Sequence, residues 1–171
     1  MRAILPTILT GLILASRPTS AQGADSLPLQ AVLLIEGGPQ EWWGKDRSSI
    51  IAAFGAPDSI SIRTLQNRHD TLFIDSIATL HYRGATFVYY VATSLQKDIL
   101  GEATIWSTRF LTPCPIKLGA PVAQVRAYFG DRSRSSTQRL AYSSDSPLPF
   151  KLEMRFENDR LTQLKWAYPV D

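Results

Sequence analysis

The sequence predicts an α+β fold of two tandem units, each a short helix or helix pair packed on an antiparallel sheet of three to four strands. A recurring phrase is the first observation behind this. Gly44 is followed by Ile50, Ala52 and Phe54-Gly55, and Gly119 by Val125, Ala127 and Phe129-Gly130, at identical spacing. Second, each copy runs on into strand-like sequence ending near a tryptophan, Trp106 or Trp166. Third, apolar and polar residues alternate in those stretches with the period of two that marks a strand with one wet face. One unit used twice explains all three. The predicted division is a leader at 1–21, a first unit at 22–111 and a second at 112–171.

Met1-Arg2 supplies a positive start, Ala3 to Ala15 a mostly apolar run, and Thr19-Ser20-Ala21 a small-residue cleavage site. The run is shorter than the roughly 20 residues a spanning helix needs and contains Pro6, so it reads as a secretory signal peptide cut after Ala21. No integral membrane segment is expected after cleavage, and the mature chain is expected to be periplasmic or secreted. Cleavage also removes Arg2 and Arg17, so part of the formal net charge of +3 belongs to the leader. The remaining bases are interleaved with acids, which argues against nucleic-acid binding.

The apolar run Ala31 to Ile35 is too short to classify by period. Leu27 to Gly38 is either a leading strand or part of a helical cap. Trp43 aligns with Leu118 of the second copy and is expected to seal the start of the first helix, while Trp42 is kept as a possible anchor for a partner. That helix takes Asp46 as N-cap, sets Ile50, Ile51 and Phe54 on one face, and stops at Gly55 with Pro57 beyond. Ile60 and Ile62 then alternate with Ser59, Ser61 and Arg63, and Gln66 to Asp70 is a polar loop. A hairpin turning at Gly84-Ala85 pairs Tyr82 with Phe87 and Leu80 with Tyr89 on the core face. Its other face carries Thr79, His81, Arg83, Thr86, Val88 and Tyr90. A strand from roughly Gly101 to Ser107 closes the first unit.

The only cysteine, Cys114, cannot form an intramolecular disulfide and has no neighbouring histidine to activate it. It reads as a small buried apolar residue in the linker. In the second unit Pro121 opens the helix, Val122, Val125 and Phe129 form its stripe, and Gly130 ends it. Ser143 to Pro149 is a Ser/Pro-rich loop. Phe150, Leu152, Met154 and Phe156 alternate with Lys151, Glu153, Arg155 and Glu157, and a return strand carries Leu164, Trp166 and Tyr168. A three-residue loop, Asn158 to Arg160, pairs Met154 with Leu164, Leu152 with Trp166 and Glu153 with Lys165.

A glycine-flanked capped helix leading into an antiparallel sheet resembles the unit shared by the BamE (SmpA/OmlA) outer-membrane assembly lipoproteins and the β-lactamase inhibitor protein BLIP. Gly44, Ile50, Gly55 and Pro57, then Gly119, Val125 and Gly130, carry the resemblance. It implies protein binding as the class of job. The chain lacks the disulfides of the inhibitors and the acylated N-terminal cysteine of the lipoproteins, and no binding residue of either group transfers by position.

His69, Asp75 and His81 form no metal-binding spacing, and the chain has no Gly-x-Ser-x-Gly elbow and no phosphate-cradling glycine loop. No catalytic, metal or cofactor residue is nominated. The expected function is a non-catalytic protein-binding or adaptor module of the cell envelope, with another protein as partner and His81, Arg83, Val88, Tyr90 and Trp42 as the contact residues. The alternative, an inhibitor of an extracellular hydrolase, is favoured by the tandem form. An enzyme or small-ligand carrier would need convergent polar groups that the sequence does not display.

Overall fold

A computed structural model describes residues 29–110, 115–130, 138–144 and 150–170. The leader, the boundary between the two expected units and Cys114 lie outside these residues. The first segment forms α1 (Leu29–Glu36), α2 (Gly38–Trp43) and α3 (Arg47–Phe54), followed by β1 (Ser59–Gln66), β2 (Ile74–Tyr82), β3 (Ala85–Ala92) and β4 (Lys97–Ile105). Then come α4 (Val122–Phe129), β5 (Arg139–Ser143), β6 (Lys151–Glu157) and β7 (Arg160–Ala167). The stretch 27–38, open between strand and helix, is thus helical from Leu29.

The expectation of two tandem helix-on-sheet units is overturned. All seven strands belong to one antiparallel sheet in the order β1-β2-β3-β4-β7-β6-β5, and the described fold is mainly sheet with a few short helices. The physical reason is the pairing of β4 with β7, which sets Glu102, Ala103, Thr104 and Ile105 opposite Ala167, Trp166, Lys165 and Leu164. The strand expected to close the first unit is therefore interior. It also begins earlier, at Lys97, which pairs with Ala92, and within it Gly101 is an extra residue that shifts the β3–β4 register between Val88 and Tyr89.

The helical phrases form helices with the expected apolar stripes and terminal glycines, except that Pro121, expected as the first residue of the second helix, is its extended N-cap and bridges to Arg160, so α4 begins at Val122. In α3 the Asp46 carboxylate accepts from the backbone N–H of Ser49 at 2.8 Å and from the hydroxyls of Ser48 and Ser49. These donors hold the Asp46 carboxyl below its ordinary range, Ser48 contributing most. Gly55 ends the helix at φ +83° and Gly130 ends α4 at φ +77°. A sheet tyrosine reaches each glycine carbonyl, Tyr82 that of Gly55 at 2.9 Å and Tyr142 that of Gly130 at 3.4 Å.

One core serves all of this. Ala31, Leu34 and Ile35 of α1, Ile50 of α3, and Val125 and Phe129 of α4 pack into a single buried cluster with Leu80, Phe87, Tyr89, Leu100, Ile105, Leu140, Leu152, Met154, Leu164 and Trp166. Trp43, Phe54, Phe87 and Phe110 pack ring against ring at 4.6 to 6.4 Å between centroids, each well-placed pair adding about 0.5–1.5 kcal/mol to its area burial. The corner between α1 and α2 is tied to the end of β7, where Trp166 Nε1 donates to the Leu34 carbonyl at 3.0 Å and the Tyr168 hydroxyl to that of Gly37. Gly38, at φ +42°, is required there. A Cβ would lie 2.6 Å from Trp166 Nε1.

Two turns differ from expectation. The β2–β3 turn is Arg83-Gly84, so Tyr82 faces Ala85 and Leu80 faces Phe87, two residues from the expected partners but on the same faces. Gly84 sits at φ +114° against Ser107, where a Cβ would lie 2.2 Å from the serine Cβ. The β6–β7 turn is the two-residue Asn158-Asp159, both at positive φ, rather than a three-residue loop. A register shift after Arg155 supplies the missing residue, so Met154–Leu164, Leu152–Trp166 and Glu153–Lys165 still pair as expected.

Replacing Trp166 by alanine should cost about 3–5 kcal/mol, because it empties a fully buried ring site and orphans the Leu34 carbonyl. Asp46→Ala should cost about 1 kcal/mol through the lost cap. Urea unfolding of both variants checks the two values and their order.

Candidate functional site

The sheet face opposite the helices has a different chemistry in its two halves. Over β5 to β7 it is charged: Arg139 pairs with Glu153, and Lys165 Nζ lies 2.8 Å from Glu102 across the β4–β7 seam. Lys165 thus stands opposite Glu153 in register but takes its ion pair from Glu102. Over β1 to β4 the face is apolar and hydroxylic. Ile77, Tyr90 and Ile99 form one cross-strand row, Thr79 and Val88 a second with Glu102 at its end, and His81, Thr86 and Thr104 a third. Ile77, Thr79, His81, Thr86, Val88, Tyr90 and Ile99 are all half-buried, and no described helix lies across them.

The nominated residues do not all meet. His81 and Val88 share this face, and His81 Nε2 lies 2.9 Å from Ser61 Oγ on β1. Arg83 is exposed in the β2–β3 turn at the margin, its backbone N–H held by the Asp58 carboxylate. Trp42 belongs to the other side of the sheet, edge-on to Trp43 and Trp166 at 5.6 Å, and packs against the core. It is separated from the other four by the sheet itself.

Tyr90 is on the face, but its hydroxyl is turned to an internal task. Asp75 is fully buried. Its carboxylate accepts from the Tyr90 hydroxyl, from the Thr93 backbone N–H at 2.9 Å and from Asn67 Nδ2 at 2.7 Å. The Asn67 side-chain oxygen Oδ1 in turn accepts from the backbone N–H groups of His69 and Asp70, which folds the polar loop over the carboxylate. The Tyr90 hydrogen bond, with help from Thr93 and Asn67, holds the Asp75 carboxyl below its ordinary range against the opposing pull of burial. The same bond raises the Tyr90 phenol.

The sequence reading missed Ile77 and Ile99, which flank Tyr90, and Ser61, which engages His81. Ile99 was hidden because the Gly101 bulge changes the parity of β4, whereas Ile77, two residues before Thr79, follows from carrying the parity of β2 backward. A strand already placed at Ser59 to Arg63 was the signal that could have found Ser61.

Among the described residues no three His, Cys, Asp or Glu side chains converge as a metal site would require, and no helix is long and apolar enough to cross a membrane. A shallow groove by Gln138, Arg139, Arg155 and the Glu157–Asp159 turn presents both signs of charge. No family model, curated protein or solved structure matches the chain.

Asp75 gives the site a pH signature. A carboxyl whose pKa is lower folded than unfolded contributes stability that is complete above its unfolded value, about 3.9. That contribution is lost as pH falls through the folded value. Urea midpoints measured from neutral pH downward should therefore fall more steeply in acid for the wild type than for Asp75→Asn. Parallel curves would show that the carboxylate is not held this way.

Proposed function

We propose that this chain is an exported, non-catalytic protein-binding or adaptor module of the cell envelope, and that its partner docks on the outer face of β1 to β4. One observation carries the reading: a half-buried patch of Ile77, Val88, Tyr90 and Ile99, hydroxylic at Thr79 and Thr86, bordered by Arg63, His81, Glu102 and Lys165, with the Asp75 carboxylate buried and bonded to the Tyr90 hydroxyl. Apolar centre and polar rim is the anatomy of a protein interface. A flat face with no convergent nucleophile, base and anion-stabilising donors suits recognition better than catalysis or ligand carriage. The resemblance to the BLIP and BamE helix-and-sheet unit supports the same class of job through the capped helices α3 and α4. The signal-like leader supports a periplasmic or secreted location. The alternative, an inhibitor of an extracellular hydrolase, rests on the repeated Gly44 and Gly119 phrases.

Tyr90 is unsuited to a test of this surface because it also holds Asp75. Val88→Asp together with Ile99→Lys should abolish capture of a cross-linked partner from the native envelope while shifting the thermal midpoint by no more than a few degrees. Capture at wild-type levels would remove this face from consideration. Titration of the protein into a panel of secreted hydrolases, β-lactamases among them, tests the alternative, which requires slowed hydrolysis.

A further inference from the structure

Bases and acids around the outer face of β1 to β4 are used differently. Arg63 opens the row that runs through Ile77, Tyr90 and Ile99, and Lys97 stands two residues before Ile99 on β4. Arg83 lies in the turn at one end of the face. Arg68 lies in the loop at the other end, where its charge opposes the rise that the Asp75 bond imposes on the Tyr90 phenol. All four are exposed, and none of their side chains makes an ion pair or hydrogen bond with a described residue. The acids beside them are already engaged. Glu102 pairs with Lys165, Asp75 is buried under three donors, and the Asp58 and Asp70 carboxylates accept the backbone N–H groups of Arg83 and Leu72. Glu36 and Glu41, whose carboxylates have no such task among the described residues, belong to α1 and α2 on the other side of the sheet.

We infer that the partner presents an acidic protein surface to this face, with carboxylates meeting Arg63, Arg68, Arg83 and Lys97 around the apolar centre. The inference rests on the outer-face reading and adds the partner's charge to it. Size supplies the first argument. The three rows across four strands cover about 14 by 13 Å, well under the roughly 800 Å² that each side of a stable protein interface contributes. A partner that covers the patch must therefore also lie over the neighbouring bases. An uncharged surface there would strip their water without replacing it, whereas carboxylates replace it and pair with the charge. Relief separates a protein from an anionic membrane. Membrane docking inserts apolar side chains that project, and none of the large exposed apolar residues belongs to these rows. Half-buried rows need a surface shaped to meet them.

Carbodiimide coupling, which joins a lysine amine directly to a carboxylate, tests this on the chain in its native envelope, with the Lys97 product read by mass spectrometry. Lys97 should be linked to an aspartate or glutamate of a second protein, and Lys97→Arg should lose the link while formaldehyde still captures that protein. Arg63→Glu with Arg68→Glu should lower formaldehyde capture by about tenfold with an unchanged far-UV spectrum, Arg63→Lys with Arg68→Lys should keep it, and added salt should weaken it in the parent. Val88→Asp with Ile99→Lys separates the two readings. If that variant captures like the parent, the outer-face reading fails; if it loses capture while Arg63→Glu with Arg68→Glu keeps it, only the acidic partner is overturned. Links from Lys97 to its own chain alone, or no link at all, would also overturn it. So would co-sedimentation of the purified protein with phosphatidylcholine–phosphatidylglycerol vesicles, but not with pure phosphatidylcholine, that Arg63→Glu with Arg68→Glu abolishes, since the acidic surface would then be lipid.

Discussion

The structure depends on the seam between β4 and β7. Only four residue pairs make it, Glu102–Ala167 to Ile105–Leu164, yet without it each strand would be a raw edge with Ala103, Ile105, Leu164 and Trp166 half uncovered. The seam makes one core of what would otherwise be two shallow ones, each too small to hold short helices that are marginal in isolation. Neighbouring contacts converge on the same place. The Tyr168 N–H bonds to the Gly101 carbonyl, Gln40 reaches the Leu100 carbonyl, and Trp166 holds the end of α1.

A sheet with helices on one side has a second face to account for, and here its two halves are handled differently. The β5–β7 half is solvated by ion pairs such as Arg139–Glu153, whereas the β1–β4 half keeps isoleucine, valine and threonine in half-buried rows. Its lower end is closed by the Asp75 network, which spends a tyrosine hydroxyl and an asparagine side chain on a single carboxylate. A buried charge of this kind is tolerated because three donors replace its water. The network also fixes the loop after β1, and so the end of the outermost strand among the described residues.

What was legible in the sequence was local. The N-cap at Asp46, the terminal glycines 55 and 130, the alternation in β6 and the outward set Thr79, His81, Thr86, Val88 and Tyr90 follow from spacing and side-chain chemistry within a few residues. The seam was not legible, because nothing in Glu102 to Ile105 or Leu164 to Ala167 names the other as its partner. Trp42 illustrates the same limit: α2 folds back against Trp166, a residue far along the chain, and so sets Trp42 on the helix side of the sheet, away from the other nominated residues. At the β6–β7 turn, hydrophobic pairing fixed the register correctly while the loop length came out wrong, since a bulge and a longer loop satisfy the same parity.

The central claim, one sheet joined at β4–β7, is tested most directly by NMR on the uniformly labelled chain. The account requires close Hα and amide contacts between the Glu102–Ile105 and Leu164–Ala167 segments, with amides of β3, β4, β6 and β7 exchanging at a common free energy equal to that of global unfolding. Absence of those cross-strand contacts, or two groups of amides exchanging at separate free energies on either side of the seam, would contradict it.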